Sequence, residues 1–92
     1  MTIQSKIIHL IKDSINVIHL DIIDDSHKHA HHKKDTQGGH FRLLVISDDF
    51  LNKNLIERHK LIYAILGSMI KIDIHALSMK TLTQDEYNKV KE

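Results

Sequence analysis

Isoleucines recur at Ile3, Ile7, Ile8, Ile11 and Ile15, with Gln4, Ser5, Lys6, Lys12 and Asp13 filling the other side. That spacing puts the apolar residues on one stripe and predicts a helix over Ile3 to Ile15, lying on a sheet, with Thr2 as its N-cap. From Val17 to Asp25 the period falls to two. Ile18, Leu20 and Ile22 alternate with His19, Asp21 and Ile23, the pattern of a strand with one buried face. His40 to Ser47 alternates Phe41, Leu43 and Val45 against Arg42, Leu44 and Ile46. Apolar residues in both sets predict a central strand covered at least partly on each face.

Ser47-Asp48-Asp49 ends that strand, and Phe50 to Asn54 makes a turn in which Asn52 can take a left-handed backbone. Asn54 is placed to cap a second helix, Leu55 to Ile70, whose apolar stripe is Leu55, Ile62, Ile65, Leu66 and Met69. Gly67-Ser68 is expected to divide this helix and leave a helix-turn-helix-like corner. Ile72 to Met79 reads as the third strand. Its parity sets Ile72, Ile74 and Ala76 on one face and Asp73, His75, Leu77 and Met79 on the other. Thr83 and Glu86 have the spacing of a capping box ahead of a short charged terminal helix.

The order is α-β-β-α-β-α in one domain, residues 1–92, an α+β fold with a three-stranded mixed sheet and helices on one face. A loop joins the first two strands as an antiparallel pair, and a helical crossover joins the second to the third as a parallel pair. With the third strand beside the second, the loop enters the sheet at the edge where His75 lies. A loop histidine and His75 are then expected to meet. Leu44, Ile46, Leu77 and Met79 are expected to make the open sheet face beside His75 apolar, a surface for a partner.

Composition changes the picture at two points. Nine histidines stand in 92 residues and there is no cysteine, so this chain supplies no disulfide, thiolate ligand or cysteine nucleophile. Four of the histidines, His27, His29, His31 and His32, fall with Lys28, Lys33 and Lys34 in Ser26 to Gly39, the only stretch without periodicity. Lys+Arg 13 against Asp+Glu 12 does not mark a nucleic-acid binder by net charge. No apolar run approaches the roughly 20 residues that a bilayer crossing needs, and a soluble cytoplasmic protein is expected, with no membrane partner. No paired carboxylates stand in a recognisable pocket motif, and a phosphate loop and a zinc-protease signature are missing, so an enzyme is not expected.

The segments Leu20-Asp21-Ile22-Ile23-Asp24-Asp25-Ser26-His27-Lys28-His29, His40-Phe41-Arg42, Phe50 through Leu55-Ile56-Glu57-Arg58-His59-Lys60-Leu61-Ile62-Tyr63, and His75-Ala76-Leu77-Ser78 together resemble the BolA family, over about Ile3 to Tyr87. The resemblance implies a fold similar to the class II KH domain without its Gly-x-x-Gly loop. It also implies two roles: pairing with a monothiol glutaredoxin to hold a [2Fe-2S] cluster, for iron-sulfur trafficking or iron and redox regulation, or regulating transcription by binding DNA through the helix-turn-helix-like segment. His75 matches the family's cluster-ligating histidine, and His29 matches the loop position of a second ligand. The loop is extended here, so His27, His31 and His32 compete with His29. Asn52 stands where the family usually has glycine.

Such a cluster needs four ligands, and imidazole can replace thiolate on one iron. The glutaredoxin and its bound glutathione would supply the thiolates, with one or two imidazoles from this chain; no cofactor is expected on the isolated chain. On the DNA reading, Arg58, His59, Lys60 and Lys53 are the candidate contacts, chiefly to phosphates.

Overall fold

The computed structural model describes residues 2–25 and 39–91. In chain order the elements are α1 (Ile3–Ser14), β1 (His19–Asp24), β2 (Gly39–Ile46), α2 (Leu55–Leu66), β3 (Ile74–Leu82) and α3 (Gln84–Lys91), with 3₁₀ turns at Asp48–Phe50 and Gly67–Met69. The sheet order is β1-β2-β3, β2 central, antiparallel to β1 and parallel to β3. Both pairings follow from connection length: a parallel neighbour needs a crossover, and α2 is that crossover.

The caps are where the side chains place them. The Thr2 hydroxyl accepts from the Ser5 amide at 3.0 Å. At α2 the Asn54 side chain accepts from the Glu57 amide at 2.9 Å, while the Glu57 carboxylate accepts from the Asn54 amide at 2.8 Å. Asn52 has φ 65°, the left-handed turn conformation its short polar side chain tolerates. Thr83 and Glu86 form the second reciprocal box, with the Thr83 amide donating to Glu86 Oε1 at 2.9 Å.

Ile7 and Ile11 from α1, Phe41, Leu43 and Val45 from β2, Phe50, Ile62 and Leu66 from the α2 region, and Met69 and Ile74 make the core. Leu20 and Ile22 of β1 pack against it. Helices α1 and α2 therefore cover one face of the sheet. Beyond the end of β3, α3 brings Tyr87 onto His19, ring centroids 6.2 Å apart. Ser47, fully buried, ties the end of β2 to the α1–β1 connection by donating to the Asn16 carbonyl at 2.7 Å. Asp48 accepts from the Gln84 amide at 3.0 Å, and Asp49 accepts from the Asn16 amide at 2.8 Å. The polar run after β2 is thus a knot between three parts of the chain.

Several expectations are corrected by packing. Helix α2 stops at Leu66, and the piece after Gly67 is a single 3₁₀ turn, so no second helix follows it. Leu55 is 61 % exposed and does not belong to the core stripe. β3 starts at Ile74 and runs to Leu82, because residues 71–73 form a turn in which Lys71 has φ 83°.

The break itself rests on Gly67, at φ 53° and ψ −123°. An L side chain is strained there whatever the space around it. A Cβ added at Gly67 meets nothing within 4 Å, yet Gly67→Ala is expected to cost about 1–3 kcal/mol through backbone strain alone. Urea denaturation measures this, and an unchanged midpoint would contradict it.

Candidate metal-ligand site at the open end of the sheet

β3 is not a regular strand at its start. Gly39 aligns with Ile74, but His40 aligns with Ala76, so His75 is an extra residue opposite the Gly39–His40 step. A bulge in a parallel pair is uncommon; it interrupts the alternation and re-aims side chains. Ile74 points into the core, His75 and Ala76 are both exposed, and Leu77, Met79 and Thr81 then fall beside Phe41, Leu43 and Val45. Leu77 and Met79 consequently pack on the core, not on the open face as the alternation of two predicted. His75 keeps its place on the open face because the parity changes just after it.

That face carries Asp21 and Ile23 from β1, Arg42 and Leu44 from β2, and Ser78 and Lys80 from β3, which line a shallow groove. It is mixed in character, with Ile23 49 % exposed and Arg42 Nε donating to Asp25 Oδ2 at 2.7 Å. A second groove towards the bulge is lined by Asp25, His40, Arg42, Ala76 and Ser78 among others. The His40 and His75 rings lie 5.0 Å apart between centroids, tilted by 41°. His40 was not among the ligand candidates from sequence. Its signal was present: it opens the strand that the loop enters, beside the strand that carries His75.

His29, with His27, His31 and His32, falls in 26–38, outside the described residues, and so does the expected meeting of a loop histidine with His75. The ends that anchor this segment are described. The Asp25 amide donates to the His40 carbonyl at 2.7 Å, and the Gly39 amide donates to the Asp73 carbonyl at 3.0 Å. Both anchors lie at the His75 end of the sheet. Among the described residues, no group of three or more His, Asp or Glu side chains could hold a metal ion by itself.

The candidate nucleic-acid contacts separate. Arg58, expected to face phosphates, is instead the tie between α2, β3 and α3, with its side chain only 11 % exposed. Its Nε donates to the Lys53 carbonyl at 2.9 Å, and one terminal nitrogen donates to the Thr81 carbonyl at 3.0 Å and to Glu86 Oε1 at 2.7 Å. The other terminal nitrogen donates to Glu86 Oε2 at 3.1 Å, and the guanidinium carbon sits 5.8 Å from the centre of the Phe50 ring. This pairing, with the Thr83 amide, holds the Glu86 carboxyl at about 2, below its ordinary 4.5. Lys53 and Lys60 are exposed, and His59 is half-buried. The α2 N-terminus, a natural anion site, is already satisfied by the carboxylate of Glu57.

The sequence model of a family described as BolA-like protein matches residues 11–86. The chain belongs to the BolA family. Among its relatives is an uncharacterised protein of Buchnera aphidicola, 38 % identical over 91 residues, covering 99 % of this chain and 85 % of the relative. Another is the DNA-binding transcriptional regulator BolA of Haemophilus influenzae, 32 % identical over 92 residues, with 100 % and 87 % covered. The BolA domain of SufE1 from Arabidopsis thaliana superposes with a TM-score of 0.80 at 33 % identity, over 94 % of this chain and 98 % of that one. The BolA arrangement of three helices on a three-stranded mixed sheet is therefore the fold of this chain, and within it the bulge at His75 sits where the sheet opens.

Proposed function

We propose that this BolA-like chain is a binding partner, not an enzyme, and that it pairs with a monothiol glutaredoxin to hold a [2Fe-2S] cluster. The observation that carries the reading is the exposed His75, put on the open face by the bulge and next to both anchors of the histidine-rich segment. An imidazole so placed is accessible to a partner's metal centre, and the chain, lacking cysteine, has no thiolate to offer. Imidazole ligation raises a cluster's reduction potential relative to all-thiolate ligation, the property a sensor or a transfer intermediate uses. His75 is the ligand on this reading, with His29 as the loop candidate for a second. The glutaredoxin thiolate and its glutathione complete the set. The surface for the glutaredoxin is the mixed polar and apolar sheet face around Ile23, Arg42 and Leu44.

Anaerobic reconstitution with iron and sulfide tests this, using a glutathione-loaded monothiol glutaredoxin with and without the chain. The expected result is a one-to-one complex whose visible absorption and circular dichroism differ from those of the glutaredoxin homodimer. An unchanged spectrum overturns the reading.

A second reading, regulation of transcription by DNA binding, is favoured by the name of the Haemophilus influenzae relative and by the exposure of Lys53 and Lys60. Each phosphate contact contributes about −0.9 to the slope of log affinity against log salt. A Lys53→Gln, Lys60→Gln variant is thus expected to flatten that slope by roughly 2 if both touch phosphate. Absence of DNA binding at low salt removes this reading.

A further inference from the structure

We propose that β3 pairs edge to edge with the β3 of a second copy of this chain, antiparallel and about a two-fold axis at Ser78, so that two sheets join into one. In the order β1-β2-β3 both outer strands have an open side among the described residues. The two edges differ in what they present. β1 is six residues long and includes Asp21 and Asp24, charges of the kind that discourage edge pairing. β3 is nine residues long, with Lys80 but no carboxylate, and the chain contains no proline that could blunt it.

Hydrogen bonding fixes which backbone groups of β3 face outward. The Ser47 amide donates to the Leu82 carbonyl at 2.9 Å, so Leu82 turns its backbone towards β2. By the alternation of a parallel ladder, Lys80, Ser78 and Ala76 do the same, and Leu77, Met79 and Thr81 turn theirs away. The Thr81 carbonyl accepts from Arg58 at 3.0 Å, which closes the edge there and leaves Leu77 and Met79 as its open donors and acceptors. Their side chains point to the same stretch. Leu77 and Met79 lie beside Phe41 and Leu43 on the helix-covered face, yet they are only half-buried, whereas those two are buried. A further strand covers them.

The second copy fits that strand by register. With the axis at Ser78, the hydrogen-bonded pairs are Leu77 with Met79 of the second copy and the reverse, apolar against apolar on the helix side. On the open face Ser78 meets Ser78 and Lys80 meets Ala76, so no like charges stand opposite each other. An axis at Lys80 would set lysine against lysine. Such a contact is isologous and closes at two chains. Its shared stretch is short, Ala76 to Lys80, and buries less than the roughly 1,200 Å² at which standard interfaces begin, so the dimer is a reversible one. It is independent of the glutaredoxin reading, which concerns the open face and not the edge.

Sedimentation equilibrium of the full chain, from micromolar to millimolar, is expected to show monomer and dimer and nothing larger. The Leu77 and Met79 amides are expected to exchange with solvent more slowly in proportion to the dimer, about tenfold when nine chains in ten are paired. The Asp25 amide donates to the His40 carbonyl, so by alternation Leu20 and Ile22 present the outward amides of β1, and these are expected not to change. Ser78→Cys places a cysteine at an exposed position of a cysteine-free chain. Facing residues of an antiparallel pair that are not hydrogen-bonded have Cα atoms about 4.5 Å apart, within the roughly 4.4–6.8 Å that a disulfide spans. Mild oxidation is therefore expected to cross-link Ser78→Cys about tenfold faster than Ser68→Cys, an exposed site in the turn after α2, because pairing raises the effective thiol concentration. The proposal is overturned if the chain stays monomeric at millimolar concentration, if it dimerises without slowing Leu77 and Met79, or if the outward β1 amides slow as well. Assembly beyond two chains, or equal cross-linking of the two cysteine variants, overturns it too.

Discussion

Arg58→Ala is expected to lower the stability of the folded chain by about 3 kcal/mol, at the upper end for a single substitution, because it breaks a largely buried ionic network. The Arg58 side chain donates four hydrogen bonds, to the Lys53 and Thr81 carbonyls and to both oxygens of Glu86. Alanine leaves the two carbonyls without this donor, removes the cation beside Glu86 and uncovers the ring of Phe50, which is fully buried. For a domain of this size each kcal/mol moves the melting temperature by about 4–8 °C, so a fall of about 15 °C is expected by calorimetry. A loss below about 1 kcal/mol would mean that the network is no stronger than an ordinary surface pair.

The same network predicts the acid limb of the stability curve. The Glu86 carboxyl, ordinarily at 4.5, is held at about 2, so the unfolded chain takes up the proton first as the solution is acidified. The pair's contribution is complete above about 4.5 and fades as pH falls towards 2. With the Glu86 side chain 43 % exposed, solvent screening holds this contribution well under the value the full shift implies. Denaturant midpoints measured from pH 6 to pH 2 are expected to fall less steeply in Arg58→Ala than in the unsubstituted chain. Parallel curves would show that Arg58 is not what depresses Glu86.

His75→Ala is expected to remove the mixed-ligand spectrum of the glutaredoxin complex and leave only that of the glutaredoxin homodimer. Stability is expected to change by no more than about 0.5 kcal/mol, as for other exposed substitutions away from structural features. This separation of effects is the useful part: the imidazole is exposed, and the neighbours that anchor the bulge, Ile74 in the core and the Gly39 amide on the Asp73 carbonyl, do not use it. A variant that retains the native visible circular dichroism would show that the cluster takes no ligand from His75. Loss of fold together with the spectrum would assign His75 to the bulge and not to metal.

Much of this protein was legible from neighbours a few positions apart. The isoleucine stripe marked α1 with its Thr2 cap, alternation marked the strands, and Thr83 and Glu86 marked the start of α3. Asn52 was readable as a left-handed turn residue because its side chain is one of the few that tolerate that backbone. The antiparallel and parallel pairings also followed, since a crossover helix allows the second and not the first. Each of these properties depends on local geometry, which residue types and spacing encode directly.

What the tertiary structure decided lies in contacts between distant segments. The parity of β3 turned on whether a bulge forms at its junction with β2, and so the alternation rule misplaced Leu77 and Met79 while leaving His75 on the open face. Arg58 reads from sequence as a helix cation available to phosphates, yet its carboxylate partner is Glu86, a whole strand further along the chain. His40 and His75 meet only because parallel register sets the start of β2 beside the start of β3. Periodicity tells which residues share a face of one element. It carries no information on the register between elements, which the packing of the whole core selects.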